Sequence, residues 1–103
     1  MEKEIEVYRE KLKRYYNEER KLASYPSKRP MRVLALIGIA EKFEAKRKYT
    51  EKEVNEIIKA SIAFGDTELI RREMFQYKFI GRLRDGSEYW AEPEWREAYE
   101  QFL

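Results

Sequence analysis

Four arginines stand out by type and spacing. Arg71 and Arg72 are adjacent, and Arg82 and Arg84 lie two apart. A guanidinium presents paired N–H donors that match phosphate oxygens and the exposed edge of guanine. Lys28, Arg29 and Arg32 form a second basic group, suited to phosphate contacts that position a protein on a duplex without specifying sequence. The chemistry these residues suit is recognition of a polyanion rather than bond making. The chain has no His and no Cys, which removes the commonest general base, the commonest metal ligand and any thiolate nucleophile. No glycine-rich phosphate loop, nucleophile motif or metal-ligand spacing occurs. Glu53 and Glu56 share a helix face, as solvated glutamates commonly do. The expectation is therefore a protein that is not an enzyme and uses no metal or cofactor.

The elements that must carry these side chains are legible in outline. A length of 103 residues suits one domain. Hydrophobic residues at 43% are too many for a disordered chain, although 41% of residues are charged. Ile5, Tyr8, Leu12, Tyr15 and Leu22 recur at helical spacing and predict a helix over residues 2–22. This narrow seam fits either packing on its own domain or pairing with a second copy, with Ile5, Tyr8, Leu12 and Tyr15 as dimerisation candidates. Pro26 and Pro30 break the chain, and Pro30 also suits the first turn of the next helix. A helix over residues 31–46 is apolar almost all round. Its Gly38 implies close approach of another element, and Lys46, Arg47 and Lys48 suit the negative end of its dipole.

Tyr49-Thr50 reads as a brief strand. Thr50 and Glu53 then form a capping-box pattern, and Val54, Ile57, Ile58 and Ile62 give a third helix one buried face. Gly65 suits a left-handed helix end, and Asp66 or Thr67 can cap a fourth helix that runs to residue 77 or 78. Its Ile70, Met74 and Tyr77 are core candidates. Its Phe75 falls on another face and needs a contact, either with the first helix or with a partner. Asp85-Gly86 between alternating runs signals a hairpin. A two-residue turn there sets Arg82 opposite Tyr89 and Arg84 opposite Ser87. Pro93 begins a last helix over residues 93–102, with Trp95, Ala98, Tyr99 and Phe102 on one side.

Charge is unevenly spread. Residues 28–48 carry Lys28, Arg29, Arg32, Lys42, Lys46, Arg47 and Lys48 against only Glu41 and Glu44, whereas the last residues are acidic. The fourth helix itself is balanced, with Arg71, Arg72 and Lys78 against Asp66, Glu68 and Glu73. Either arginine can therefore serve a solvated ion pair as readily as a polyanion. The start, Met1-Glu2-Lys3-Glu4, is highly charged, and the apolar run at residues 33–40 is too short to span a bilayer. With no cysteine, a cytoplasmic chain with no membrane partner is expected.

Several runs carry a resemblance. Tyr25-Pro26-Ser27-Lys28-Arg29, Tyr49-Thr50-Glu51-Lys52-Glu53-Val54-Asn55, Ile70-Arg71-Arg72-Glu73-Met74 and Asp85-Gly86-Ser87-Glu88-Tyr89 resemble the bacterial domain-of-unknown-function family 2087. The chain has Lys78 where that family commonly has Gly. The resemblance implies a small winged-helix domain and a role in transcription regulation.

Helix, break, helix and hairpin in this order also predict a winged helix-turn-helix from the residues themselves. The expected fold is mainly α (α+β), with the winged-helix core at residues 28–90 and an added helix at each end. The expected function is binding of double-stranded DNA through Lys28, Arg29, Arg32, Arg71, Arg72, Arg82 and Arg84, as a homodimer held by the terminal helices. The alternative is a protein-interaction module that keeps the fold without binding DNA.

Overall fold

Helix α1 spans Glu2–Leu12 and tightens into a 3₁₀ turn at Lys13–Tyr15. The computed structural model describes residues 2–103. The single helix expected to residue 22 stops early for a local reason. The Asn17 side-chain oxygen accepts hydrogen bonds from the backbone N–H groups of Glu19 and Lys21, each at 3.0 Å. Arg20 takes a left-handed φ of 63°. An Asn that offers the backbone another acceptor competes with the helix, so the chain reverses and Tyr16 bridges Leu22. Leu22, almost fully buried, then stitches to the end of the third helix. Its N–H donates to Ser61 O and its carbonyl accepts from the Ala63 N–H, each at 2.8 Å.

The α1 seam is spent inside the chain. Leu12 is buried, and Ile5, Tyr8 and Tyr15 are half-buried against the core. The four residues expected for dimerisation thus pack on their own domain, with Ile5, Tyr8 and Tyr15 keeping part of their surface exposed.

Helix α2 spans Arg29–Ala40, with Lys28 at its N-cap and Pro30 in its first turn. Its apolar side chains form the centre of the core, with Val33 and Leu36 fully buried. It ends before residue 46 because the chain turns back. Phe43 tucks inward, Lys46 adopts φ 66°, and the Tyr49 hydroxyl accepts the Glu44 N–H at 2.8 Å. Lys46, Arg47 and Lys48 therefore lie beyond the helix and do not serve its dipole. Arg47 instead bridges Glu44 and Glu53 at 3.3 and 3.1 Å, over the Tyr49 ring. The close approach expected at Gly38 is missing too. Gly38 is exposed, and an added Cβ would meet only the Tyr16 hydroxyl, at 3.9 Å.

Strand β1 (Lys48–Tyr49) leads into α3 (Glu51–Ser61) through the expected capping box. Thr50 Oγ1 accepts the Glu53 N–H at 3.1 Å, and the Glu53 carboxylate accepts the Thr50 N–H at 2.9 Å. Val54 and Ile58 are fully buried. Helix α3 stops at Ser61 and runs extended through Ile62, so Gly65 is not a left-handed cap. Asp66 caps α4 (Thr67–Gln76) by accepting the Leu69 N–H at 3.0 Å.

Helix α4 closes in a Schellman motif. The Phe79 N–H reaches Met74 O at 2.9 Å and the Lys78 N–H reaches Phe75 O at 3.1 Å, with Met74 and Phe79 both buried. Lys78 occupies the left-handed position, at φ 64°. A left-handed conformation costs a residue with a Cβ about 1–2 kcal/mol. Lys78→Gly is therefore expected to raise stability by about 1 kcal/mol in chemical denaturation, because the exposed lysine gives up no packing. An unchanged midpoint would contradict this.

Strands β2 (Ile80–Arg82) and β3 (Tyr89–Ala91) form the hairpin, and β1 adds to the far side of β3, giving an antiparallel sheet of order β1-β3-β2. Arg82 faces Tyr89, as expected. The turn is longer than two residues. Leu83 N–H donates to Glu88 O and Gly86 N–H to Leu83 O, each at 2.9 Å. Gly86 takes φ 77°. Arg84 and Ser87 thus lie in the loop and are not a ladder pair. Gly81 is required by close approach, since a Cβ there would sit 2.5 Å from Trp90 Nε1.

The expected C-terminal helix is a short α5 (Trp95–Ala98) followed by a 3₁₀ turn at Glu100–Phe102. Trp95 and Phe102 are buried, whereas Ala98 is exposed. The Phe79 ring stacks on Tyr99 at 4.6 Å and meets Trp95 edge-on at 5.5 Å. Arg9 donates to the carbonyls of Phe102 and Leu103, tying the last turn to α1. The fold is mainly helical with one small sheet. No described helix is long and apolar enough to cross a membrane.

Candidate nucleic-acid interface

The residues on α4 sort by helical spacing. Arg71 and Phe75 form one i, i+4 ridge, and Arg72 and Gln76 the next. With Arg82 of β2 and Tyr89 of β3, these line a groove of about 260 Å³ between α4 and the hairpin. Glu73 and Tyr77 form a further ridge on another side of α4. Three of the four α4 and hairpin arginines singled out in the sequence therefore meet at one place. Arg84 lies exposed in the adjoining loop.

The arginines are not equivalent. The Arg71 side chain is only 16% exposed. It donates to Asn55 Oδ1 at 2.6 Å and lies 3.8 Å from Glu51 Oε1. That same carboxylate oxygen accepts the Tyr89 hydroxyl at 3.0 Å. Glu51 and Asn55 are one turn apart on α3, so a single polar network locks α3, α4 and β3 together. Arg71 is spent on this scaffold. Arg72 is exposed and forms no ion pair among the described residues. Arg82 donates to the carbonyls of Leu83 and Arg84 at 3.1 and 3.0 Å and rests 5.0 Å from the Phe75 ring centroid. That cation–π contact is what Phe75 gains at an exposed position, where the expected neighbour was either α1 or a partner. The ring remains 40% exposed.

The second basic group lies elsewhere. Arg32 donates to Pro26 O at 2.6 Å, sits 3.5 Å from Glu73 and covers the Tyr25 ring at 4.7 Å. The Tyr25 hydroxyl donates to the same Glu73 at 2.9 Å. Arg29 lies over Tyr77, and Lys28 is exposed at the α2 N-cap. Arg29 and Arg32 thus meet the Glu73–Tyr77 ridge, not the groove, and Arg32 is structurally engaged. Glu51, Asn55 and Tyr89 were missed as positioning residues. The one-turn spacing of Glu51 and Asn55, and the placement of Tyr89 opposite Arg82, carried that signal.

These contacts shift the phenols together. Burial raises Tyr25 well above the usual phenol range, helped by its hydrogen bond to Glu73. Burial likewise raises Tyr89, again with a carboxylate partner in Glu51. Tyr16 and Tyr99 rise through burial as well. An unfolded tyrosine ionises near about pH 10. Above that pH the unfolded chain releases protons that the folded chain keeps, so stability falls as pH rises, and below it the contribution is intact. Absorbance titration should show these phenolates appearing only together with unfolding. Independent ionisation near pH 10 in a folded protein would contradict the burial.

The residues that carry the resemblance are the ones that meet. Glu51, Asn55, Arg71 and Tyr89 make one network, and Tyr25 and Glu73 anchor the other. Residues 21–91 match the family described as an uncharacterised protein conserved in bacteria, DUF2087. The chain belongs to the DUF2087 family. The matched segment ends with β3, and α1 and the Trp95–Phe102 segment lie outside it and pack against it. No curated protein and no solved structure matches the chain.

Proposed function

We propose that this DUF2087 protein is a winged helix that binds duplex DNA in transcription regulation. The carrying observation is the groove where α4 and the hairpin bring Arg72 and Arg82 together, neither with a carboxylate partner among the described residues. Element order supports it. Helices α2, α3 and α4, with β1 after the first and the β2–β3 hairpin after the last, follow the order of a winged helix, and β1 completes the sheet beside β3. In that arrangement α4 is the recognition helix and the hairpin is the wing that reaches the backbone. Arg72 faces the groove from the helix, Arg82 and Arg84 meet phosphates from the wing, and Arg71 holds the two at a fixed angle. Such a protein works in the cytoplasm, on chromosomal DNA.

The test is binding to random-sequence duplex across a salt series, since phosphate contacts make affinity fall steeply with salt. Binding that weakens with salt is expected. No binding at low salt would sink the proposal. A second reading, a protein-interaction module, draws on the exposure of Phe75 at 40% and Leu83 at 44% beside the groove. Absence of duplex binding would favour it.

A further inference from the structure

The exposed side of α4 carries Glu68, Arg72 and Gln76 at i, i+4 and i+8, and all three are exposed. They form one straight ridge flanked by the groove. Glu68 and Arg72 have the spacing of a helical ion pair, yet none joins them, and no ion pair engages Glu68 among the described residues. The ridge therefore offers a free carboxylate, a free guanidinium and a free amide in a row.

This deepens the duplex-DNA reading and rests on it. A carboxylate facing DNA is repelled by phosphates. It is tolerated where it accepts a hydrogen bond from the amine of cytosine, just as Arg suits guanine and Gln suits adenine. We infer that Glu68, Arg72 and Gln76 read base edges in the major groove, cytosine, guanine and adenine respectively. The inference accounts for the balanced charge of α4. Its outer ridge carries sequence readout, and the phosphate attraction comes from the wing. Residues four apart on a helix are separated by about 6 Å along its axis, against about 3.4 Å per base pair. The three side chains thus span about four base pairs. Glu68 also lies in the first turn of α4, where a carboxylate suits the helix dipole, but that role has no effect on which base is chosen.

The experiment is enrichment of bound sequences from a randomised duplex pool, comparing wild type with Glu68→Gln and Gln76→Glu. Both positions are exposed, and circular dichroism checks that each variant folds. Wild type should select cytosine, guanine and adenine positions within about four base pairs. Glu68→Gln should exchange the cytosine preference for adenine, and Gln76→Glu should do the reverse. Each exchange should change discrimination at its own position by about five- to a hundredfold and leave the other two alone. Salt-dependent binding without any enriched sequence would overturn the ridge as a reader while leaving duplex binding in place. Enrichment that neither variant alters would overturn it as well. Failure of wild type to bind any duplex at low salt would instead overturn the DNA reading on which it rests.

Discussion

Phe79→Ala is expected to cost about 3–5 kcal/mol and to move the unfolding midpoint far below that of wild type. Phe79 is fully buried, and three parts of the chain meet on it. Its ring is held between Trp95 and Tyr99, its N–H closes α4 onto Met74 O, and its carbonyl accepts the Glu92 N–H at 2.9 Å. Truncation empties the space between the hairpin and the C-terminal segment. A domain of this size has only about 5–15 kcal/mol in total, so the loss is a large share. Denaturant titration measures it. A change below about 1 kcal/mol would mean that the C-terminal segment does not depend on this joint.

The second large effect concerns the β2–β3 hairpin. Replacing Arg82 and Arg84 together by Ala should weaken duplex binding whatever the sequence. It should also flatten the plot of log affinity against log salt by about two, since each lost phosphate contact removes roughly one from the slope. Arg82→Ala also uncovers the Phe75 ring, but that exposed contact is worth only about 0.5–1 kcal/mol. The fold should therefore survive. Arg71→Ala should behave differently. It strips Glu51 and Asn55 of a partner within a network tied to Tyr89, so its effect should appear as lost stability before it appears as a changed salt slope. An unaltered slope in the double variant would remove the hairpin from the binding surface.

What could be read from the sequence was what side chains announce locally. The Thr50–Glu53 capping box, a cap at Asp66 as one of two candidates with Thr67, and the Arg82–Tyr89 pairing follow from short-range chemistry and are present, although the expected two-residue turn is a longer loop. The helix ends are harder to read. Arg20, Lys46 and Lys78 each take a left-handed φ near 65° without being glycine. All three are exposed, long, helix-favouring side chains, so none carries the Gly that marks a left-handed position in sequence. Helix α1 gives way at the Asn17 turn rather than at residue 22, and α2 ends at Ala40 rather than at residue 46, while the left-handed helix end expected at Gly65 after α3 occurs instead at Lys78 after α4. The candidate site divided in the same way. The four α4 and hairpin arginines were visible as residues, but only the tertiary arrangement distinguishes a buried, engaged Arg71 from an exposed Arg72. The separation of Arg29 and Arg32 from the groove likewise depends on Glu73 and Tyr77 projecting from another side of α4, which charge counting along the chain cannot register.

The central claim is that the face built from α4 and the hairpin receives duplex DNA. Amide and guanidinium chemical shifts recorded while random duplex is added at low salt test it most directly. Shifts concentrated at Arg72, Gln76, Arg82 and Arg84, fading as salt is raised, are the predicted result. No shifts, or shifts confined to Lys28, Arg29 and the outer face of α1, would contradict it.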